Sequence, residues 1–138
     1  MSFFNVFDIS GSAMNAHSTR LNTIASNMAN ADSVAGNANE VYKAKHAVFE
    51  TLMKQETSNQ NQSAGVKVKE ILESEAPALV RHEPNHPLAD AQGNVYAPNV
   101  NVVEEMANMM SASRSYQNNV EVFNTSKQLL MQTINMGR

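Results

Sequence analysis

The stretch NVVEEMANMMSASRSYQNNVEVFNTSKQLLMQTINMGR, residues 101–138, decides the fold. Counted in sevens from Val102, one row reads Val102, Met109, Tyr116, Phe123 and Leu130. The row four residues on reads Met106, Ser113, Val120, Lys127 and Ile134. Ser113 is small enough for such a set, and only Lys127 is awkward. Residues at this spacing fall on one stripe of a helix, the pattern a coiled coil buries. No proline interrupts the stretch, and glycine enters only at Gly137. At 1.5 Å per residue such a helix is about 50 Å long. It cannot bury its stripe on itself, so it needs a long partner.

The opposite end of the sequence supplies one. Phe7, Met14, Leu21 and Met28 lie seven apart, and Phe3, Ser10, His17, Ile24 and Ala31 form a second row with two polar breaks. The expected fold is therefore mainly α. Long N- and C-terminal helices pair, parallel or antiparallel, as a coiled coil around a small β-rich or irregular central insertion. Outside the stripe the first helix carries Ser12, Ala13, Ala16, Ser18, Ala25, Ser26 and Ala29. Side chains this small let further helices approach closely.

The first helix should begin near Asn5 or Asp8, either of which can cap it, after a frayed residue 1–4 segment. It should close near Asn30, where asparagine tolerates the left-handed conformation. Three segments result: residues 1–33 as an N-terminal axial helix, 34–100 as the insertion, and 101–138 as the C-terminal axial helix. Within the insertion, residues 41–53 begin extended, though 47–53 could continue as helix. Residues 55–65 are polar, low in complexity, and read as a mobile loop. Val66, Val68 and Ile71 interleave with Lys67, Lys69 and Glu70 before the alternation slips, which predicts a strand. Residues 93–95 offer a turn into a short strand that Pro98 ends.

Charged residues make up only 17% of the 138, below the usual quarter, and amides, hydroxyls and alanine replace them. A surface of that kind suits coverage by other subunits more than a monomer at high concentration. A net charge of −3 without a basic stripe argues against nucleic acid. The absence of cysteine removes disulfides, thiolate zinc sites and cysteine nucleophiles together. There is no Lys or Arg before Arg20 and no apolar core with a cleavage site, so no cleavable secretory signal is expected.

Chemistry is thinly represented. His82-Glu83-Pro84-Asn85-His86 matches H-E-x-x-H, but that zinc motif works only on a helix. Pro84 inside it and Pro87 after it oppose a helix, so a turn with two imidazoles is the expectation. His17 and Lys127 are polar residues in stripe positions, which more often fix register than catalyse. Glu104 and Glu105 sit where a helix begins and suit its positive end. Met106, Met109, Met110, Met131 and Met136 serve either as core filling or as an adaptable contact surface. No catalytic residue, metal or cofactor is expected.

Leu21-Asn22-Thr23-Ile24-Ala25-Ser26-Asn27-Met28-Ala29-Asn30-Ala31-Asp32-Ser33 resembles the shared signature of the flagellar axial proteins, Asn27, Ala29 and Asn30 among its residues. Three further stretches resemble the C-type basal-body rod proteins within that family. They are His86-Pro87-Leu88-Ala89-Asp90 with Gly93-Asn94-Val95, then Pro98-Asn99-Val100-Asn101, and Glu105-Met106 leading to Ser111-Ala112-Ser113-Arg114-Ser115-Tyr116-Gln117-Asn118-Asn119. The usual Gly-Tyr close after the signature is absent. A longer loop leads instead to Val41-Tyr42-Lys43-Ala44-Lys45. The resemblance implies a non-enzymatic building block of the rod that crosses the periplasm, transmitting torque in a helical array with itself and other rod proteins. It implies further partners in the adapter that joins the rod to the MS ring and export gate, and in the flagellar type III export apparatus. The alternatives are another axial protein of the rod or hook adapters, a soluble coiled-coil adaptor or secretion chaperone, and, last, a metalloprotease. The expected assembly surface comprises Phe7, Met14, Leu21, Ile24, Met28, Met106, Met109, Tyr116, Val120, Phe123, Leu130 and Ile134. The two terminal stretches are expected to be unprotected in a dilute monomer, since each stripe needs a partner.

Overall fold

Two helices that run antiparallel, with two small antiparallel sheets joined to them, make up the fold. The structure is a computed structural model that describes residues 3–54 and 63–137. Its elements in order are α1 (Phe3–Ala29), β1 (Lys45–Lys54), β2 (Ser63–Glu73), β3 (Leu79–His82), β4 (Asn94–Ala97) and α2 (Val102–Met136). The direction of the helix pair follows from its two ends: Phe7 meets Phe123, and Asn27 meets Glu105.

α2 begins where the sequence places it. Asn101 caps it, its Oδ1 accepting from the backbone N–H of Val103 at 3.1 Å and Glu104 at 3.4 Å. Glu104 and Glu105 lie in the first turn, where the helix dipole favours negative charge. α1 departs from expectation at its start. It is helical from Phe3, and Asn5 and Asp8 lie inside it rather than capping it. Tertiary contact replaces the polar cap: near the first turn Phe7 stacks edge-on against Phe123, with ring centroids 4.9 Å apart. At the other end Asn30 closes the helix, its Nδ2 donating to the Ser26 carbonyl at 2.8 Å.

β1 and β2 pair as a long antiparallel hairpin from Lys45↔Glu73 to Lys54↔Ser63. Residues 47–53 are therefore strand throughout, which corrects the helical option for that stretch. Ser63, Ala64 and Gly65 are likewise strand. The rest of the expected 55–65 loop lies outside the described residues. The pairing shifts between Val48 and Phe49, leaving Lys69 opposite neither neighbour. That bulge is the physical origin of the slipped alternation at residues 66–71: the extra residue rotates everything after it to the other face.

The hairpin lies on α1. Ser12 ties the two, donating to the Ile9 carbonyl at 2.8 Å while its Oγ accepts from the Val66 N–H at 3.1 Å. Phe49 packs edge-on to His17. α1 is thus held between α2 and the hairpin, which explains why Ser10, Ala16 and Ile24 are all buried. Small side chains on α1 admit the neighbours of its own chain.

β3 and β4 form the second sheet, from Leu79↔Ala97 to His82↔Asn94, and Ala35 adds a bridge to Tyr96. Val95 and Ala97 are fully buried there. The turn before β4 needs Gly93, whose φ of 78° lies in the left-handed region and whose added Cβ would stand 3.0 Å from the Pro84 Cβ. Asp90 holds this turn: its Oδ1 accepts from the backbone N–H groups of Asn94 and Gln92, and its Oδ2 from the Tyr96 hydroxyl. Those bonds, the Asn94 N–H first, keep its carboxyl below the usual carboxylate range. No helix among the described residues is long and apolar enough to cross a membrane.

Candidate assembly surface

The helix pair is closed at one end and open at the other. At the closed end Asn27, fully buried, uses both functions of its amide. Its Nδ2 donates to the Lys45 carbonyl at 2.8 Å and to Glu105 Oε1 at 3.3 Å. Its Oδ1 accepts from the Tyr42 hydroxyl at 2.9 Å and the Lys45 N–H at 2.8 Å. Glu105, 5% exposed, comes from the first turn of α2, and its Oε2 has no partner among the described residues. Burial, then the charges of Glu105 and Glu73, raises the Tyr42 pKa, so the hydroxyl keeps its proton as donor. Sequence reading had Asn27 only as a signature residue, and did not link it to Tyr42 or Glu105.

Along α2 the covered rows differ from the expected pair. Met109, Phe123 and Leu130 of the first row are half-buried, with Tyr116 just exposed. The companion row that faces inward lies three residues on, not four. It comprises Glu105, Ala112 at 1% exposure, and the half-buried Asn119 and Ser126. Of the expected row, Ser113 and Val120 are half-buried, whereas Met106 (51%) and Ile134 (57%) stand exposed and Lys127 does too. Met106 and Ile134 thus lie on the outer flank of the stripe that α1 covers. Hydrophobicity misled because the inward row is small and polar: Ala112 permits close approach to α1, and Glu105 bonds Asn27.

On α1, Ile24 is buried and Phe7, Met14, Leu21 and Met28 are half-buried. Met28 shares a shallow apolar groove with Met106, Met109, Met110, Ser113 and Arg114. His17, the polar break, turns to Phe49 on the hairpin rather than to Lys127. Burial, helped by the positive charge of Arg20, depresses its pKa and keeps the ring neutral at neutral pH. Of the remaining signature positions, Pro98 is buried, Asn30 caps its own helix, and Ala29, Asn99 and Arg114 are exposed.

The open end is the far part of α2. Phe7 meets Phe123 in an antiparallel pair, so residue 3 comes level with residue 127. Residues 128–136 therefore pass beyond α1. Leu129, Met131, Ile134 and Met136 are exposed on that overhang.

The H-E-x-x-H stretch is the end of β3 followed by a turn. His82 Nδ1 faces Asn94 Oδ1 at 3.1 Å, and His86 Nδ1 accepts from the Leu88 N–H. Both rings thus serve local turn geometry. His82→Ala and His86→Ala should each change the stability of the chain by no more than about 0.5 kcal/mol, in keeping with the small effect of most surface changes. Elemental analysis of the purified chain should find no stoichiometric zinc. Zinc lost in either variant would overturn that reading.

Comparison with known proteins bears on both ends of the molecule. Residues 7–36 match the family described as "Flagella basal body rod protein", and residues 91–136 match "Flagellar basal body rod FlgEFG protein C-terminal". The two matches contain most of α1 and α2. "Flagellar basal-body rod protein FlgC" of Escherichia coli O6:H1 is 51% identical over 138 residues, covering 100% of both chains. The protein of that name from Salmonella typhimurium is 50% identical over the same span and coverage. That of Yersinia enterocolitica is 51% identical over 140 residues, again with 100% of both chains covered. On this full-length likeness, the chain belongs to the FlgC family of flagellar basal-body rod proteins.

Proposed function

We infer that the chain is a structural, non-enzymatic subunit of the flagellar basal-body rod and serves motility in association with other rod components. The full-length identity to FlgC proteins carries this conclusion. Three finer statements go beyond it. The helix pair works as a coiled-coil unit of a helical array that transmits torque along the proximal rod. The chain reaches the periplasm through the flagellar type III export apparatus. At its inner end it meets the adapter between rod and MS ring.

The uncovered part of α2 supports the first of these. An open helical array needs heterologous contacts, one face of a subunit against a different face of the next. The exposed Met106, Met110, Ile134 and Met136 and the half-buried Phe7, Met14, Leu21, Met109, Val120, Phe123 and Leu130 provide apolar area on several sides of one helix pair. Together with Met28 and Tyr116 they form the proposed assembly surface, with Ile24 buried behind it. Methionine suits such a role because its flexible thioether fits unlike neighbours.

The sequence has no cysteine, so single-cysteine probes are unambiguous. Met106→Cys and Ile134→Cys should each give crosslinks to rod subunits in isolated basal bodies treated with a thiol crosslinker. Leu88→Cys, exposed on the loop between β3 and β4, tests whether crosslinking is confined to the helix pair. A chain missing from basal bodies, or crosslinked equally from all three positions, would defeat the reading.

A further inference from the structure

We propose, building on the array reading above, that the methionine groove at the closed end receives the last turns of the C-terminal helix of an adjoining rod subunit. The groove lies where α1 ends and α2 begins. Met28 enters it from α1 and Met106, Met109 and Met110 from α2, with Ser113 and Arg114 further along the same helix. Met106 and Met110 are 51% and 60% exposed, more than core filling leaves to water. A concave apolar strip lined by flexible thioethers is the kind of surface that takes up the apolar face of a partner helix.

The opposite end of the molecule shows what such a partner helix looks like. Residues 128–136 pass beyond α1, and Leu129, Met131, Ile134 and Met136 are exposed on them. None of these residues is charged, so covering them strands no ion. Groove and overhang also match in length: residues 106–114 and 128–136 each extend about 12 Å at 1.5 Å per residue. Because the two features sit at opposite ends, docking one into the other joins different faces of successive subunits. That is the heterologous contact an open array requires. Stacked head to tail, the two C-terminal helices run parallel, and the incoming one ends beside Arg114. α2 has no basic residue in its last turn, so its final carbonyls carry the negative end of the helix uncompensated. A guanidinium from the receiving subunit supplies the missing charge. The module that ends in this overhang is shared within a rod family whose model matches residues 91–136, so an adjoining subunit of another kind brings a comparable helix end.

Photocrosslinking in isolated basal bodies tests the docking, with a benzophenone amino acid placed at Met110 and, separately, at Met131. From Met110, adducts should form with the final turns of a rod subunit's C-terminal helix. From Met131, they should form with the start of such a helix, at the level of residues 106–114. A benzophenone at Met106 repeats the measurement should Met110 not tolerate the ring. Arg114→Gln should lower the Met110 adduct about twofold to fivefold, the worth of one charge at a helix end, and Arg114→Lys should restore most of it. Adducts from Met110 confined to the middle of a helix, to a β-strand or to its own chain would overturn the docking. So would an adduct yield indifferent to Arg114→Gln. The Met106→Cys and Ile134→Cys crosslinks ask only whether the helix pair meets rod subunits, so they can succeed while this pairing fails.

Discussion

Cells carrying Phe123→Asp should fail to swim, while the variant subunit is still exported. Phe123 stands on the α2 row that faces α1, where its ring meets Phe7 edge-on at 4.9 Å. Truncating a fully buried phenylalanine costs about 3–5 kcal/mol. Phe123 is only half-buried within one chain, so the intrachain share is smaller, and the remainder of the ring is available to a neighbour. Aspartate adds the desolvation of an unpaired carboxylate. The loss recurs in every copy of the array, and about 1.4 kcal/mol at each contact lowers that contact's equilibrium constant tenfold. Rod completion should collapse as a result. Glu121→Gln, exposed two residues away, should swim normally. The measurement is swimming together with detection of exported subunit. Normal swimming by Phe123→Asp would show that the α2 stripe is no assembly surface.

The helix pair was legible in the sequence because heptad spacing is a one-dimensional signal. Phe7, Ile24, Met109, Phe123 and Leu130 could be picked out by counting. The inward row of α2 was not legible for the opposite reason. Glu105, Ala112, Asn119 and Ser126 are acidic, small, amide and hydroxyl, and nothing in such a row announces burial. Their position is fixed by what α1 presents opposite them, above all the Asn27 amide. The early start of α1 escaped for a similar cause, since capping rules look for a polar residue where a distant ring supplies the stability. Within the insertion, the slip at Lys69 was visible as a broken alternation, and its meaning as a bulge needed the partner strand.

The same asymmetry between closed and open ends gives the last prediction. Counting apolar stripes alone, both terminal stretches should be unprotected in a dilute monomer. The packing narrows this, because α1 and the first half of α2 cover one another and are pinned at Asn27. Among the described residues, 128–136 lack such cover except at the half-buried Leu130, and Leu129, Met131, Ile134 and Met136 face solvent there. A helical segment that short is marginal in water without tertiary support. Among the described residues its end is tied by the Gly137 N–H to the Ile134 carbonyl, at 3.3 Å, and by the Thr133 hydroxyl to the Leu129 carbonyl, at 2.8 Å. Local opening there should therefore cost almost nothing, and amides in residues 128–136 of the monomer should exchange within about tenfold of the free-peptide rate. In isolated basal bodies the same amides should slow by about a hundredfold or more, because a neighbour that covers the overhang must be displaced before it opens. Residues 103–110 should be protected in both states. Exchange in 128–136 that is slow in the monomer, or unchanged on assembly, would mean that the overhang is not where one subunit is received by the next.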